Sequence, residues 1–196
     1  VSSDNVSVID TANNTVVATV AVGTSPRSVT VNFAGTRAYV ANQGSNNVSV
    51  IDTSSNTVIA TVPVGSAPFG IAVNRNGTRA YVANSGASTV SIVDTGTNSV
   101  IASVTVGTNV ANLNSANVSV IELSTNTVLT TIGVGIAPRG IAVNPIGTRV
   151  YIAKSSQSTV SVIDTTTNTL SGSVTVTGFP QGVAFNPSGT RAYVSS

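Results

Sequence analysis

The chain has 196 residues, 41% of them apolar but only 7% charged, with a formal net charge of +2. It contains no Cys and no His, which excludes disulfides, thiolate nucleophiles, metal sites built on either residue and imidazole acid–base catalysis. Without a polybasic run or an apolar stretch of membrane-spanning length, neither nucleic-acid binding nor membrane insertion is expected.

Ser, Thr and Asn supply roughly 38% of the residues, so hydroxyls and amides keep the surface wet in place of Lys and Glu. That composition points to an exported protein. Sequons at Asn5, Asn13, Asn47, Asn76 and Asn117 agree, although chance supplies such triplets in a chain this rich in Asn, Ser and Thr. The sequence begins at Val1 with neither Met nor an apolar leader, as expected of a mature product, an excised domain or an incomplete record.

Taken along the chain, the first apolar run is Val6-Ser7-Val8-Ile9-Asp10, and it recurs at residues 48–52, 90–94, 118–122 and 160–164, in steps of 42, 42, 28 and 42. A second marker, Gly35-Thr36-Arg37-Ala38-Tyr39-Val40, returns at residues 77–82, 147–152 and 189–194. Each full unit holds four short runs rich in Val, Ile, Thr and Tyr, for example residues 70–73, 79–83, 90–94 and 100–106. Turn signals separate them, at residues 74–77, 85–88 and 95–98. Four antiparallel strands every 42 residues is the period of a β-propeller blade. The fold class is therefore all-β, a propeller of five blades by count, one of them short by 14 residues. Repeats start near residues 6, 48, 90, 118 and 160 of a single domain spanning 1–196.

Pairing residues 37–42 with residues 48–52 around the turn 43–47 sets Arg37 opposite Asp52. The same rule sets Arg79 opposite Asp94 and Arg149 opposite Asp164, as structural ion pairs and not as a metal-binding ring of acids. The chain starts on the third strand of a blade and ends on the second. Joining the ends closes the ring and leaves Arg191 to pair with Asp10. The short repeat loses its innermost strand after Thr108, and with it the Arg that would face Glu122. Residues 107–109 reach about 10 Å, half the roughly 20 Å that such a connection must span. Either 14 residues are missing from the sequence at that point, or the blade is rearranged and its exposed strand at 109–113 accepts a partner's strand.

At Tyr39-Val40-Ala41-Asn42 and Tyr81-Val82-Ala83-Asn84 the chain resembles the YVTN family of β-propeller repeats. Residues 151–154, 193–196 and 109–112 are drifted copies. The resemblance covers essentially the whole chain and implies a secreted or surface-layer setting. Related propellers include lactonases, a streptogramin lyase and a haem d1 domain, whose sites depend on His or acid clusters. This chain has no His, and all its acids except Asp4 recur with the repeat, so no catalytic residue, metal or cofactor is expected.

The position after Pro in the loop entering the innermost strand changes from repeat to repeat: Arg27, Phe69, Arg139 and Gln181. Framework positions repeat whereas recognition positions vary, so these four are the candidate ligand-binding residues, for an anionic or planar group. The leading expectation is a non-catalytic extracellular or cell-surface module, structural or adhesive, that meets other surface proteins or glycans. It would be a monomer, or a homo-oligomer through the incomplete blade. A small-molecule or glycan-binding propeller is the alternative, and a degenerate lactonase-like enzyme the weaker one.

Overall fold

In a computed structural model, which describes residues 3–106 and 116–196, every regular element is a β-strand. Packing divides the chain into two compact units, Val1–Thr105 and Val106–Ser196, each described by itself. The first unit holds β1 (Asn5–Asp10), β2 (Thr15–Ala21), β3 (Pro26–Val31), β4 (Arg37–Asn42) and β5 (Asn47–Asp52). It continues with β6 (Thr57–Pro63), β7 (Pro68–Val73), β8 (Arg79–Asn84), β9 (Thr89–Asp94) and β10 (Ser99–Thr105). The second holds β11 (Asn117–Glu122), β12 (Thr127–Gly133), β13 (Pro138–Val143) and β14 (Arg149–Lys154). After these come β15 (Thr159–Asp164), β16 (Thr169–Thr175), β17 (Gly182–Phe185) and β18 (Ala192–Ser195).

Three four-stranded antiparallel sheets result, β3-β4-β5-β6, β7-β8-β9-β10 and β13-β14-β15-β16, with two-stranded sheets β1-β2, β11-β12 and β17-β18. The strand runs read from the apolar pattern match these strands to within two residues at either end. The gap expected after Thr108 and the expected acceptor strand at 109–113 lie outside the described residues.

Registers follow from side-chain alternation. β4 and β5 set Arg37 opposite Asp52, β8 and β9 set Arg79 opposite Asp94, and β14 and β15 set Arg149 opposite Asp164. The outer pair of every blade carries one bulge, so that Val17, Ile59, Ile101, Leu129 and Ser171 each lack a partner. A bulge bends the strand and sharpens its twist, which turns an outer edge away from stray pairing.

Blades pack face to face. Tyr39, Val48, Val50 and Val62 of one sheet meet Ala80, Val82 and Val93 of the next, with Ile71 and Val73 at the margin. On the other face Val40 and Ile51 meet Val20, Val6 and Val8. In the second unit Ile132 and Val134 pack on Ile152 and Ile163. Full burial of a Val or Ile side chain contributes about 1.5–3 kcal/mol, so these layers hold the sheets together.

The innermost strands show what a complete neighbour supplies. Ile71 and Val73 on β7 are partly buried against the four-stranded sheet before it. Their repeat equivalents, Val29 and Val31 on β3 and Ile141 and Val143 on β13, are exposed. Among the described residues of their own units, β3 and β13 follow the two-stranded sheets β1-β2 and β11-β12. Tyr39, between two four-stranded sheets, is 1% exposed, while Tyr193 on β18 is 59% exposed.

Turn chemistry fixes the hairpins. Asn14, Asn56, Asn98, Asn126 and Asn168, one in each outer turn, all have left-handed φ between 52° and 58°. Asn tolerates that region because its amide makes local hydrogen bonds. The inner turns end instead on Gly35, Gly77, Gly147 and Gly189, with φ from 70° to 76°.

Candidate functional site

Carboxylates come first, because any acid–base or metal chemistry in this chain must come from them. Asp52 Oδ1 accepts the amides of Ser54 and Ser55 at 3.0 Å and their hydroxyls at 2.6 and 3.2 Å. The Ser54 hydroxyl and then the Ser55 amide are the main causes that pull its carboxyl down to about 2. Asp94 accepts from Gly96 and Thr97, Asp164 from Thr166 and Thr167, and Asp10 from the Ala12 amide. Glu122, which lost its Arg, accepts the Ser124 amide and hydroxyl in the same place. Its carboxyl is lowered, as are those of Asp94 and Asp164, chiefly by the Ser124, Thr97 and Thr166 amides respectively. The acid series caps turns first and pairs with Arg second.

That order corrects the expected ion pairs. Arg79 Nη1 meets Asp94 Oδ2 at 2.5 Å, and Arg149 Nη2 lies 3.7 Å from Asp164 Oδ2. Arg37 faces Asp52 in register but sends its guanidinium to the Thr95 carbonyl of the next blade, at 2.7 Å. Asp52 Oδ1 is engaged by its own turn, and the Arg37 guanidinium reaches across to the neighbouring blade in place of that carboxylate. For the expected Arg191–Asp10 pair, Asp10 holds its own turn, and the Arg191 amide donates to Asn186 Oδ1. Among the described residues the ion pairs are those of Arg79 and Arg149.

Asp4, the acid that sequence reasoning left outside the framework, belongs to it. Its Oδ1 accepts the Ser25 amide at 2.8 Å, as Asn46 Oδ1 accepts the Ala67 amide one repeat later. All six acids therefore serve as backbone acceptors. Among the described residues no three of them group as a metal site.

Of the four candidate binding residues, two meet. Arg139 Nη1 donates to Gln181 Oε1 at 3.0 Å, linking the starts of neighbouring inner strands, and Gln181 Nε2 donates to the Phe179 carbonyl. Arg27 Nε donates instead to Gln43 Oε1 at the tip of its own sheet, and Phe69 is exposed. Arg27 and Phe69 lie in the first unit, Arg139 and Gln181 in the second.

The last residue of the Tyr-Val-Ala-Asn segment is a buried link. Asn42 Nδ2 donates to Asn47 Oδ1 and Ser49 Oγ, and Asn84 Nδ2 to Thr89 Oγ1 and Ser91 Oγ. Lys154 stands at this position in the second unit and is 8% exposed. Its Nζ and Gln157 Oε1 lie 3.3 and 2.8 Å from where a Gly135 Cβ would stand, and Gln157 Oε1 is buried without a donor. Burial lowers the Lys154 pKa.

Sequence reasoning missed a cleft at the opposite end of the inner strands. The β3–β4 and β7–β8 turns bring Arg75 Cζ to 5.8 Å from the Phe33 ring centroid. Phe33, Asn74, Arg75 and Asn76 line an open cleft of about 420 Å³. The signal was available: the second turn position reads Phe33, Arg75, Pro145, Pro187, as variable as the loop that was singled out.

Repeated four-stranded antiparallel sheets with these inner and outer turns define a β-propeller-type fold. No family model matches the chain, and no curated protein does. Among solved structures it is similar to hydrazine synthase of Kuenenia stuttgartiensis, with a TM-score of 0.86 and 22% identity over 97% of this chain and 67% of that one. A functionally unknown protein of Desulfotomaculum acetoxidans gives a TM-score of 0.85 at 12% identity, over 98% of this chain and 69% of that one. The dihydro-heme d1 dehydrogenase NirN, in complex with DHE, gives 0.74 at 14% identity, over 90% of this chain but 43% of that one. These likenesses are of fold.

Proposed function

We propose that the chain is a non-catalytic propeller module of the YVTN type, exposed at the cell surface or secreted, with a structural or adhesive role. One observation carries this reading: each of the six acids accepts a hydrogen bond from a backbone amide of a turn or loop. A general acid or base needs a carboxyl free to exchange its proton with substrate at an open face. With no His or Cys in the sequence, nucleophilic chemistry would fall to Tyr, Ser, Thr or Lys, and the carboxylates that accept the Ser54 and Ser124 hydroxyls have lowered pKa values, which makes them weak bases. A surface wetted by hydroxyls and amides supports the location.

Probing intact, non-permeabilised cells of the source organism and their culture medium with an antibody raised against the chain tests the location. Detection there before lysis is the expected result, and detection only after lysis would overturn it. The alternative, a binding propeller that uses the inner-strand ends, is favoured in the second unit by the Arg139–Gln181 contact. Replacing Gln181 with Ala frees that guanidinium and would raise affinity for a carboxylate ligand if one binds there.

A further inference from the structure

We propose that the Phe33–Arg75 cleft is a binding site for a carboxylate-bearing sugar, of the uronate class. The proposal rests on the reading of the chain as a non-catalytic interaction module and names what that module would hold.

Both side chains come from the same position of equivalent turns, and the turns are rigid. Asn32 Oδ1 accepts the Thr36 and Arg37 amides, and Asn74 Oδ1 accepts the Arg79 amide. Asn32 Nδ2 and Asn74 Nδ2 each donate to the following Thr hydroxyl at 3.1 Å. Gly35 and Gly77 close the two turns onto Asn32 and Asn74. In the second unit Pro145 and Pro187 fill the same position, so the turn itself requires neither an aromatic ring nor a guanidinium. Phe33 is 80% exposed, and its ring stands beside the Arg75 guanidinium.

Arg75 differs from most of its counterparts. The side chains of Arg27, Arg37, Arg79, Arg139 and Arg149 each donate to a protein oxygen, whereas the Arg75 guanidinium lies over the Phe33 ring. The ring holds the guanidinium over its face and leaves the N–H fork free for a carboxylate. Asn76, which also lines the cleft, accepts from Thr78 Oγ1 at Oδ1, so its Nδ2 is the group left to donate to a ligand hydroxyl. The cleft's volume suits one or two sugar rings. Its single aromatic wall and open mouth suit a pyranose, with one apolar C–H face and a rim of hydroxyls. A flat aromatic acid would need an enclosed apolar slot.

The test is ¹H–¹⁵N chemical-shift titration of the whole chain with tri-galacturonate, with the neutral methyl-galactoside as control. Shifts confined to residues 32–37 and 74–79 are expected with the acid and not with the neutral sugar. Arg75→Ala should weaken binding roughly tenfold and Arg75→Lys should recover only part, since a point charge lacks the fork. Phe33→Ala should weaken it by about threefold to tenfold. Neither position is framework, so both variants should keep the wild-type spectrum elsewhere. An absence of shifts, shifts that persist in Arg75→Ala, or equal response to the neutral sugar overturns the site. A C-terminal carboxylate peptide shifting the same residues more strongly overturns the sugar assignment. Cleavage of the trisaccharide during titration would instead overturn the non-catalytic reading.

Discussion

At the scale of single residues, the carboxylates govern how the fold responds to acid. Asp52 titrates near 2 when folded and near 3.9 when unfolded, so folding favours its ionised form. Its contribution is whole above pH about 4 and is lost as pH falls through about 2. Asp94, Glu122 and Asp164 shift in the same direction. The melting temperature should therefore fall between pH about 4 and 2, and Asp52→Asn should lower its neutral-pH value and flatten that slope. An unchanged slope in the variant would remove Asp52 from the account. Lys154 works in the opposite sense. Its folded pKa is lowered by burial, so the cost of the buried ammonium is full at neutral pH and falls away as pH rises toward the free-lysine value. Lys154→Asn restores the residue that Asn42 and Asn84 represent, and Thr159 and Ser161 stand where the partners of those residues do. Thermal melts should show the variant more stable at pH 7, with the advantage narrowing toward pH 10.

At the scale of strands, equivalent positions do not have equivalent tolerance. Gly70 and Gly140 occupy the same place in β7 and β13. A Cβ on Gly70 would meet only Ala83 Cβ at 4.0 Å, an ordinary contact. One on Gly140 would come within 2.6 Å of both the Gln181 carbonyl oxygen and Gly182 Cα on the neighbouring blade. Gly140→Ala should cost about 1–3 kcal/mol by overpacking against backbone, and Gly70→Ala should stay within about 0.5 kcal/mol. Urea denaturation of the two variants checks the contrast; equal losses would mean the inner strands separate easily. Ala67 and Ala137 hold φ of 50° and 55° just before their prolines, so glycine should fit better. Ala67→Gly should gain roughly 1 kcal/mol in the same assay, offset in part by the entropy of the more flexible unfolded chain.

The same scale shows what the sequence could and could not carry. Among the described residues, strand order and register were legible because period-2 alternation and the 42-residue repeat both constrain them. The partner of Arg37 was not. A register argument pairs Cα atoms, whereas the Thr95 carbonyl lies on another sheet, 58 residues away. Glu122 looked orphaned because only cross-strand partners were counted, when its acceptor role lies two residues along its own turn. The Phe33–Arg75 cleft went unread because only one of two variable turns was compared.

At the scale of the whole molecule, the short third repeat is the feature with energetic consequences. The repeat alignment makes the lost portion the equivalent of residues 67–80, which elsewhere supply an innermost strand and the start of its partner. Ile71 and Val73 pack against the four-stranded sheet before them, whereas Ile141 and Val143 are exposed and follow a sheet that, among the described residues, has two strands. Supplying the strand should therefore cover Ile141 and Val143. A chain with a copy of residues 67–80 inserted after Thr108 restores the period and gives Glu122 an Arg across the ladder. Loop closure opposes the insertion only weakly, because its cost grows with the logarithm of length. Partial burial of two large aliphatic side chains, at about 0.8 kcal/mol per methylene, exceeds it. The inserted chain should melt higher, by about 2–4 °C for each kcal/mol gained, and exchange its Ala142 and Val143 amides more slowly. If melting and exchange both stay as they were, the short repeat already covers β13 by other means, and a missing blade strand is the wrong description of it.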